Sequence, residues 1–313
     1  MEEAVEEGGR GRWSAAIGLS LAVLLLSVFD PLALVLLPMG ILMIGLPAER
    51  RLKWLGVGVI LWVMAVMLSG GGLAGLSRGW ALMLGASYLA LTLVRPTWHV
   101  LSRALAAVGI ALGAGGLGLA LSGRADDLDR MVRTHFETIS ALTLGDLQTR
   151  MPESALVADL RATTEQISAL QSEMFPALLA LQSLAALALA SWWVRRLGRS
   201  DSGAFALHRM RDFRFNDQLI WFLIGALLIL LLPLGGVADR IAINALVFMA
   251  ALYALRGLAV FVFLATGSRS LPTMILGLIA LVFLYPIAFT AALLMGVGDT
   301  WLDVRSRVSA RLT

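Results

Sequence analysis

Arg209-Met-Arg-Asp-Phe-Arg-Phe-Asn-Asp-Gln-Leu-Ile-Trp-Phe222 starts basic, turns aromatic and runs directly into an apolar stretch that reaches Leu234. Cationic side chains followed by aromatic ones mark the cytoplasmic face of a membrane, where Arg stays in the headgroup layer and ring systems sit at its edge. Phe213, Phe215, Trp221 and Phe222 are the expected anchors. This stretch orients everything on either side of it, and three long apolar segments follow it.

Composition agrees with that reading. Of 313 residues, 59% are hydrophobic and only 15% charged, with a mean hydropathy of +0.84. Soluble domains are nearer half apolar. Several apolar runs approach the ~20 residues that cross a bilayer as a helix, and they do not alternate as barrel strands do. The fold class is therefore all-α: a polytopic helical membrane protein of eight or nine hydrophobic segments, with one extracytoplasmic amphipathic helical insertion. The absence of Cys excludes disulfides, thiolate metal sites and Cys nucleophiles. Cations are almost all Arg, Lys53 being the exception. Placed at segment ends, they explain the pI near 10.3 through topology and anionic headgroups, and nucleic acid is not an expected partner. Met1–Arg12 mixes acids with bases and no cleavage site follows, so no signal peptide is read there.

In chain order the expected divisions are a mobile tail at 1–12, five membrane segments within 13–122, the insertion at 123–173, four segments within 174–298 and a tail at 299–313. Asp30-Pro31 breaks the first apolar stretch into a hairpin, because Pro31 lacks an amide hydrogen and disfavours helix at Asp30. Leu55–Ser69 and Trp80–Val94 form a second pair, with Gly70-Gly-Gly-Leu-Ala-Gly75 read as the loop between them. Gly109, Gly113, Gly115, Gly116 and Gly118 in the fifth segment read as a surface for close helix packing. The insertion holds nine of the 21 acidic residues and five Arg. Leu128, Met131, Val132, Phe136 and Ile139, then Leu156, Val157, Leu160, Ile167 and Leu170, recur at helical spacing. They predict two amphipathic helices, packed on the membrane or on a partner. Met174–Val194, Asn216–Leu234, Ile241–Ala265 and Ser270–Gly298 complete the set. Nine crossings from a cytoplasmic start leave the carboxyl terminus outside, whereas the Arg residues of the tail prefer the inside. Either the ninth segment turns back near Pro286 or the tail breaks the charge rule, and nine hydrophobic segments leave the side of the carboxyl terminus open.

Three polar residues in apolar surroundings are the candidate solute-binding positions: Arg256, Asn244 and Asp30. Arg256 lies about nine residues, roughly 13 Å at helical rise, from the cytoplasmic end of its segment near Ala265. A charge at that depth costs several kcal/mol on insertion scales unless protein or water meets it. An ion pair with Asp30 or Asp217 serves structure as well as function. Asp30 also fits a helix cap at the outer surface. No catalytic, cofactor or metal constellation is present. Gly75-Leu-Ser-Arg-Gly79 fits G-x-S-x-G but lacks the strand–turn–helix context of a nucleophile elbow. Gly113–Gly118 fits G-x-G-x-x-G without a preceding strand. The chain therefore reads as a non-enzyme that needs no cofactor.

Asp212-Phe-Arg-Phe-Asn-Asp-Gln-Leu-Ile-Trp221, Asn244, Leu255-Arg-Gly-Leu-Ala-Val260 and Gly298-Asp-Thr-Trp-Leu-Asp-Val-Arg305 together resemble the YybS-like bacterial membrane proteins, predicted membrane domains of unknown function. The resemblance covers most of the chain. Members of that family tend to have Pro where this chain has Asn216, and often Gln where it has Arg256. The resemblance implies a multi-pass protein of the bacterial inner membrane. It also implies a remote similarity of the amino-terminal half to the substrate-binding subunits of energy-coupling-factor transporters, which bind a small molecule within a helical bundle and need ATPase partners. It carries over no catalytic residue.

Two readings follow. A transport-type subunit binding a small solute accounts for the broken helices and Arg256. An envelope scaffold or assembly factor accounts for the amphipathic insertion and the six-Arg loop between Arg195 and Arg214. The expected partners are the lipid bilayer, other membrane or envelope proteins and a small-molecule solute. A polar cavity reaching Arg256 and Asn244 favours the first reading. A dry bundle with an apolar outer face on Leu128–Leu170 favours the second.

Overall fold

The structure is a computed structural model that describes residues 72–150, 155–197, 213–267 and 285–312, with isolated helical positions at 56, 59, 60, 63 and 67. Among the described residues every regular element is helical and there is no strand. Two compact units divide the chain, one ending at Asp201 and the other beginning at Ser202. The first two expected segments, including Asp30-Pro31, lie outside the described residues.

In the first unit, α1 (Gly72–Val94), α2 (Val100–Ser122) and α5 (Phe175–Leu197) pack on one another, and α3 (Ala125–Arg150) pairs with α4 (Ala155–Glu173). The Trp80 indole donates to Ser183 Oγ at 2.9 Å, and Tyr88 and Ser191 share a hydroxyl hydrogen bond at 3.1 Å. Both pairs are 103 residues apart. A step of eight residues on α1 therefore matches the same step on α5, and the two helices run parallel. In a bilayer apolar surface has no water to escape, so hydrogen bonds and close packing of this kind hold helices together. Gly123 ends α2 in the left-handed conformation (φ 66°), and the amides of Gly123 and Arg124 return to the carbonyls of Ala120 and Leu119. This C-cap leaves no carbonyl stranded as the chain turns into α3.

Two sequence expectations change. The glycine-rich stretch expected as a loop is already helical from Gly72, and Gly75, Ser77 and Gly79 are buried. The glycines of α2 are not a close-packing surface among the described residues. A methyl group built on Gly109, Gly113, Gly116 or Gly118 meets nothing within 4 Å, and on Gly115 it meets only the ends of Met83 and Trp80.

Close packing occurs in the second unit instead. There a 3₁₀ turn (Asp217–Leu219) opens α6 (Ile220–Leu231), and a short turn leads to α7 (Gly236–Gly267). α8 (Tyr285–Leu302) and α9 (Val304–Leu312) follow. A methyl group on Gly257 would overlap the backbone of Ala292, and one on Gly296 would overlap that of Tyr253. As α7 advances from Tyr253 to Gly257, the nearest α8 residue falls back from Gly296 to Ala292, so α7 and α8 are antiparallel. Met249, Leu252, Tyr253, Arg256, Ala259 and Val260 form one buried face of α7, at the i, i+3, i+4, i+7 spacing of a helix stripe.

We expect Gly257→Ala and Gly296→Ala each to lower stability in detergent by about 1–3 kcal/mol, the usual cost of overpacking. Gly118→Ala should be neutral or gain up to about 1 kcal/mol from helix propensity. Thermal unfolding of the three variants measures the difference; equal effects would contradict the close approach of α7 and α8.

Candidate functional site

The polar centre of the second unit is built on Arg256. Its side chain is 3% exposed and that of Asp299 is fully buried. Arg256 Nε donates to Asp299 Oδ2 at 3.0 Å, and Nη2 makes a longer contact of 3.3 Å to the Asp299 carbonyl. Nη1 donates to Asp217 Oδ1 at 2.5 Å. Arg305 Nη2 reaches the same Asp299 Oδ2 at 2.9 Å, and its Nη1 donates to the Phe213 carbonyl at 3.0 Å. Among the described residues two guanidiniums thus face two carboxylates. Burial of a charge is tolerable on those terms and on few others.

Each element delivers its residue for a local reason. Gly257 and Gly296 bring α7 and α8 close enough for Arg256 to reach Asp299. Asn216 Oδ1 accepts the Gln218 amide at 3.0 Å and caps the 3₁₀ turn, which presents Asp217. Asp303, the one described non-glycine residue with positive φ (39°), turns the chain between α8 and α9 and so returns Arg305 to Asp299. Its carboxylate takes a hydrogen bond of 2.5 Å from Arg214. The Ser306 hydroxyl, and after it the Arg214 guanidinium, hold the Asp303 carboxyl below the ordinary carboxylate range. The Phe215 ring lies 5.4 Å from the Arg256 guanidinium carbon and meets Tyr253 edge-on at 5.1 Å. Attraction of a cation to the face of a ring adds to the enclosure.

Of the three positions read from sequence, Arg256 is at the centre of this cluster. Asn244 is not brought to it. It is half-buried and donates to the Arg240 carbonyl one turn earlier, and it stands twelve residues, about 18 Å at helical rise, from Arg256. Asp30 lies outside the described residues. Of the two partners considered for Arg256, Asp217 is found. Asp299 and Arg305, its other companions, fall in the stretch that the sequence marks as a polar tail. The signal for them was the spacing Gly296-x-x-Asp299 against Arg256-Gly257. Of the four expected interface aromatics, Trp221 and Phe222 are well exposed, while Phe213 and Phe215 pack on each other at 6.1 Å between centroids. Among the described residues no group of three or more His, Asp or Glu side chains is placed to hold a metal ion.

The geometry of the two short helices matters as much as the charges. The 3₁₀ turn and α6 together span 15 residues, roughly 22 Å at helical rise, against a hydrocarbon core of about 30 Å. The start of that segment and the end of α8 meet at Arg256, beside α7, which continues eleven residues beyond it. α2 (Val100–Ser122) and Gly236–Leu264 of α7 are each long and apolar enough to cross a membrane. The helix pair Leu160–Glu173 and Phe175–Leu189, bent by 73°, adds a third candidate.

These features define a helical membrane protein with a charged cluster enclosed among its helices. Residues 14–300 match the family described as predicted membrane protein DUF2232, and the chain belongs to that family, whose function is unknown. No curated protein and no solved structure matches it.

Asp299→Asn and Arg256→Met should each cost about 3–5 kcal/mol, because each strands a buried opposite charge. Asp217→Asn should cost under about 1 kcal/mol, its carboxylate being largely in water. Unfolding of the full chain in detergent tests the order; an Asp217 effect as large as that of Asp299 would show that the exposed arm is as structural as the buried one.

Proposed function

We propose that the chain is a non-catalytic, small-solute-binding subunit of transport type. The observation that carries this reading is the meeting of two short helix ends, at Asp217 and Asp299, on a charged residue of the long helix α7. Helix ends that stop beside charges leave polar backbone groups for a solute, and this arrangement recurs in membrane transporters. The resemblance read from the sequence to YybS-like proteins, and remotely to energy-coupling-factor binding subunits, is compatible with this reading. We place the protein in the bacterial inner membrane as a multi-pass chain with other membrane or envelope proteins as partners.

A second reading rests on a different observation. In the α3–α4 pair, Met131, Ile139 and Leu142 on one helix and Leu160, Ile167 and Leu170 on the other are all exposed. Each trio falls within about 80° of its own helix, at 100° per residue. The Ser140–Ser168 hydrogen bond already joins the two helices. The remaining apolar rows suit an envelope scaffold that docks other proteins on its outer side.

Purification in mild detergent, with mass spectrometry of retained metabolites and proteins, separates the readings. A metabolite retained by the natural chain and lost in Arg256→Gln is the expected result. Retained proteins without a metabolite, lost when Leu142, Ile167 and Leu170 become Glu, would favour the scaffold.

Topology supplies a further prediction. α1 and α5 run parallel with α2 between them, which puts the α3–α4 pair on one side and Arg195 on the other. Phe213–Asp217 and Asp299–Arg305 meet at one depth, and the Arg residues of α9 favour the side of the basic loop. In a chain without Cys, Ser202→Cys and Thr313→Cys should react with an impermeant maleimide only after the cells are opened. Glu137→Cys should react in intact cells. Labelling of Thr313→Cys in intact cells would overturn the assignment of the carboxyl terminus.

A further inference from the structure

We propose that the α3–α4 hairpin lies flat on the bilayer surface, with Ile139, Leu142, Ile167 and Leu170 set among the lipid headgroups and upper acyl chains; this does not depend on the solute-binding reading above. The pattern Glu-x-Ile-Ser-Ala-Leu occurs twice, at Glu137–Leu142 on α3 and at Glu165–Leu170 on α4. Its two serines hydrogen-bond to each other. Ser140 lies ten residues before the end of α3 and Ser168 thirteen after the start of α4, so the helices run antiparallel. Identical stretches that meet antiparallel at their serines are related by a two-fold axis through that contact, perpendicular to the plane of the pair. Such an axis keeps both copies of each residue on one side. Ile139, Leu142, Ile167 and Leu170, all exposed, therefore form one apolar face. Glu137 and Glu165, also exposed, stand about 140–160° from them at 100° per residue and form the opposite face.

The helices at either end of the hairpin say what covers that face. α2 carries exposed Ile110, Leu117 and Leu121 up to its last turn, and α3 begins just beyond its cap at Gly123, at the edge of the same apolar band. α5 has 23 residues, about 34 Å at helical rise, and crosses a hydrocarbon core of about 30 Å by itself. α4 meets it at 73°, which puts α4 near the plane of the bilayer. Pro176 gives the direction of the bend. It cannot donate to the Ser172 carbonyl and its ring crowds that group, so the chain folds away from the proline's side. Pro176 stands nine residues after Ile167, half a turn away in phase, so α5 departs on the side of Ile167. The apolar face thus looks the way α5 goes, into the membrane, and apolar exposure continues around the bend from Leu170 to Leu178. An amphipathic pair so placed buries its apolar side at the headgroup boundary. The stretch 123–173 holds nine acidic residues against five Arg, so attraction to anionic headgroups does not hold it there; the contact is apolar.

The test uses the full chain in phosphatidylcholine nanodiscs, with and without phosphatidylglycerol. The chain has no Cys, so Leu142→Cys, Leu170→Cys, Glu137→Cys and Glu165→Cys each carry one fluorophore. Lipid with a nitroxide high on its acyl chain quenches from the membrane, and iodide quenches from water. Labels at 142 and 170 should be quenched by the nitroxide lipid and lose their quenching by iodide. Labels at 137 and 165 should behave the opposite way, and phosphatidylglycerol should change neither result. Ile139→Cys and Ile167→Cys read the same face should the leucine variants not fold. Equal access of iodide to all four positions would overturn the proposal. Protection of 142 and 170 from both quenchers would overturn it too, because a second copy of the chain would then cover the face. So would nitroxide quenching that appears only with phosphatidylglycerol. Lipid contact at this face would leave the scaffold reading without its apolar docking surface.

Discussion

A guanidinium removed from water must be met by negative charge, and most of the second unit is arranged to meet Arg256. Asp299 does so from α8, and this single contact sets how far α8 slides along α7. It also explains the glycines. A long side chain reaches across to a neighbouring helix most directly when the backbones lie close, and Gly257 and Gly296 permit that approach where any other residue would collide. Arg305 then shares the Asp299 oxygen and ties α9 and the Phe213 carbonyl to the same point. Replacing a buried ionic group by apolar side chains is often neutral or stabilising in energy. The pair therefore accounts for register and for the meeting of chain segments more than for net stability.

The first unit solves the same problem without charge. Trp80 and Tyr88 reach Ser183 and Ser191, which also donate to the carbonyls of Leu179 and Leu187 on their own helix. Each serine hydroxyl thus closes its own turn and meets an aromatic side chain from α1. Such neutral contacts cost little to bury and specify direction: only parallel helices match both pairs at once. Where hydrophobicity is the same on every side, orientation must come from polar residues, and both units place theirs on the faces that touch.

The helical class was legible because long apolar runs leave the backbone no other way to satisfy its hydrogen bonds in lipid. The two amphipathic helices of the insertion were legible too, since water on one side restores a period of 3.6 to the pattern. The partners of Arg256 were harder to read. Asp299 and Arg305 follow Gly298 in a run that resembles any polar tail at a headgroup layer, and their folding back depends on the turn at Asp303, a residue whose left-handed backbone no spacing announces. Phe215 was read as an interface aromatic for the same reason: its type fits the interface, and only tertiary contact turns it onto Tyr253. The glycines show the limit most clearly. Among the described residues α2 has the denser small-residue pattern, yet α7 and α8 make the close approach with one glycine each. A small residue permits contact, and a partner carrying a matching polar group is what brings it about.

The pairing of Arg256 with two carboxylates also bears on what the cluster can do. As it stands, Arg256 has no charge to spare, so a solute cannot simply be added; it must replace a group of like sign. Only one of the two carboxylates is free to be replaced, because Asp299 is enclosed by two guanidiniums and Asp217 faces water from a short turn at the start of a helix. A cluster built only to hold helices gains nothing from putting one of its anions outside. An ion pair with one buried and one exposed member has a fixed end and a movable end, and here the movable end sits where two helices stop. That asymmetry makes exchange at Arg256 a physical possibility without dismantling the contact between α7 and α8 on which the rest of the unit depends.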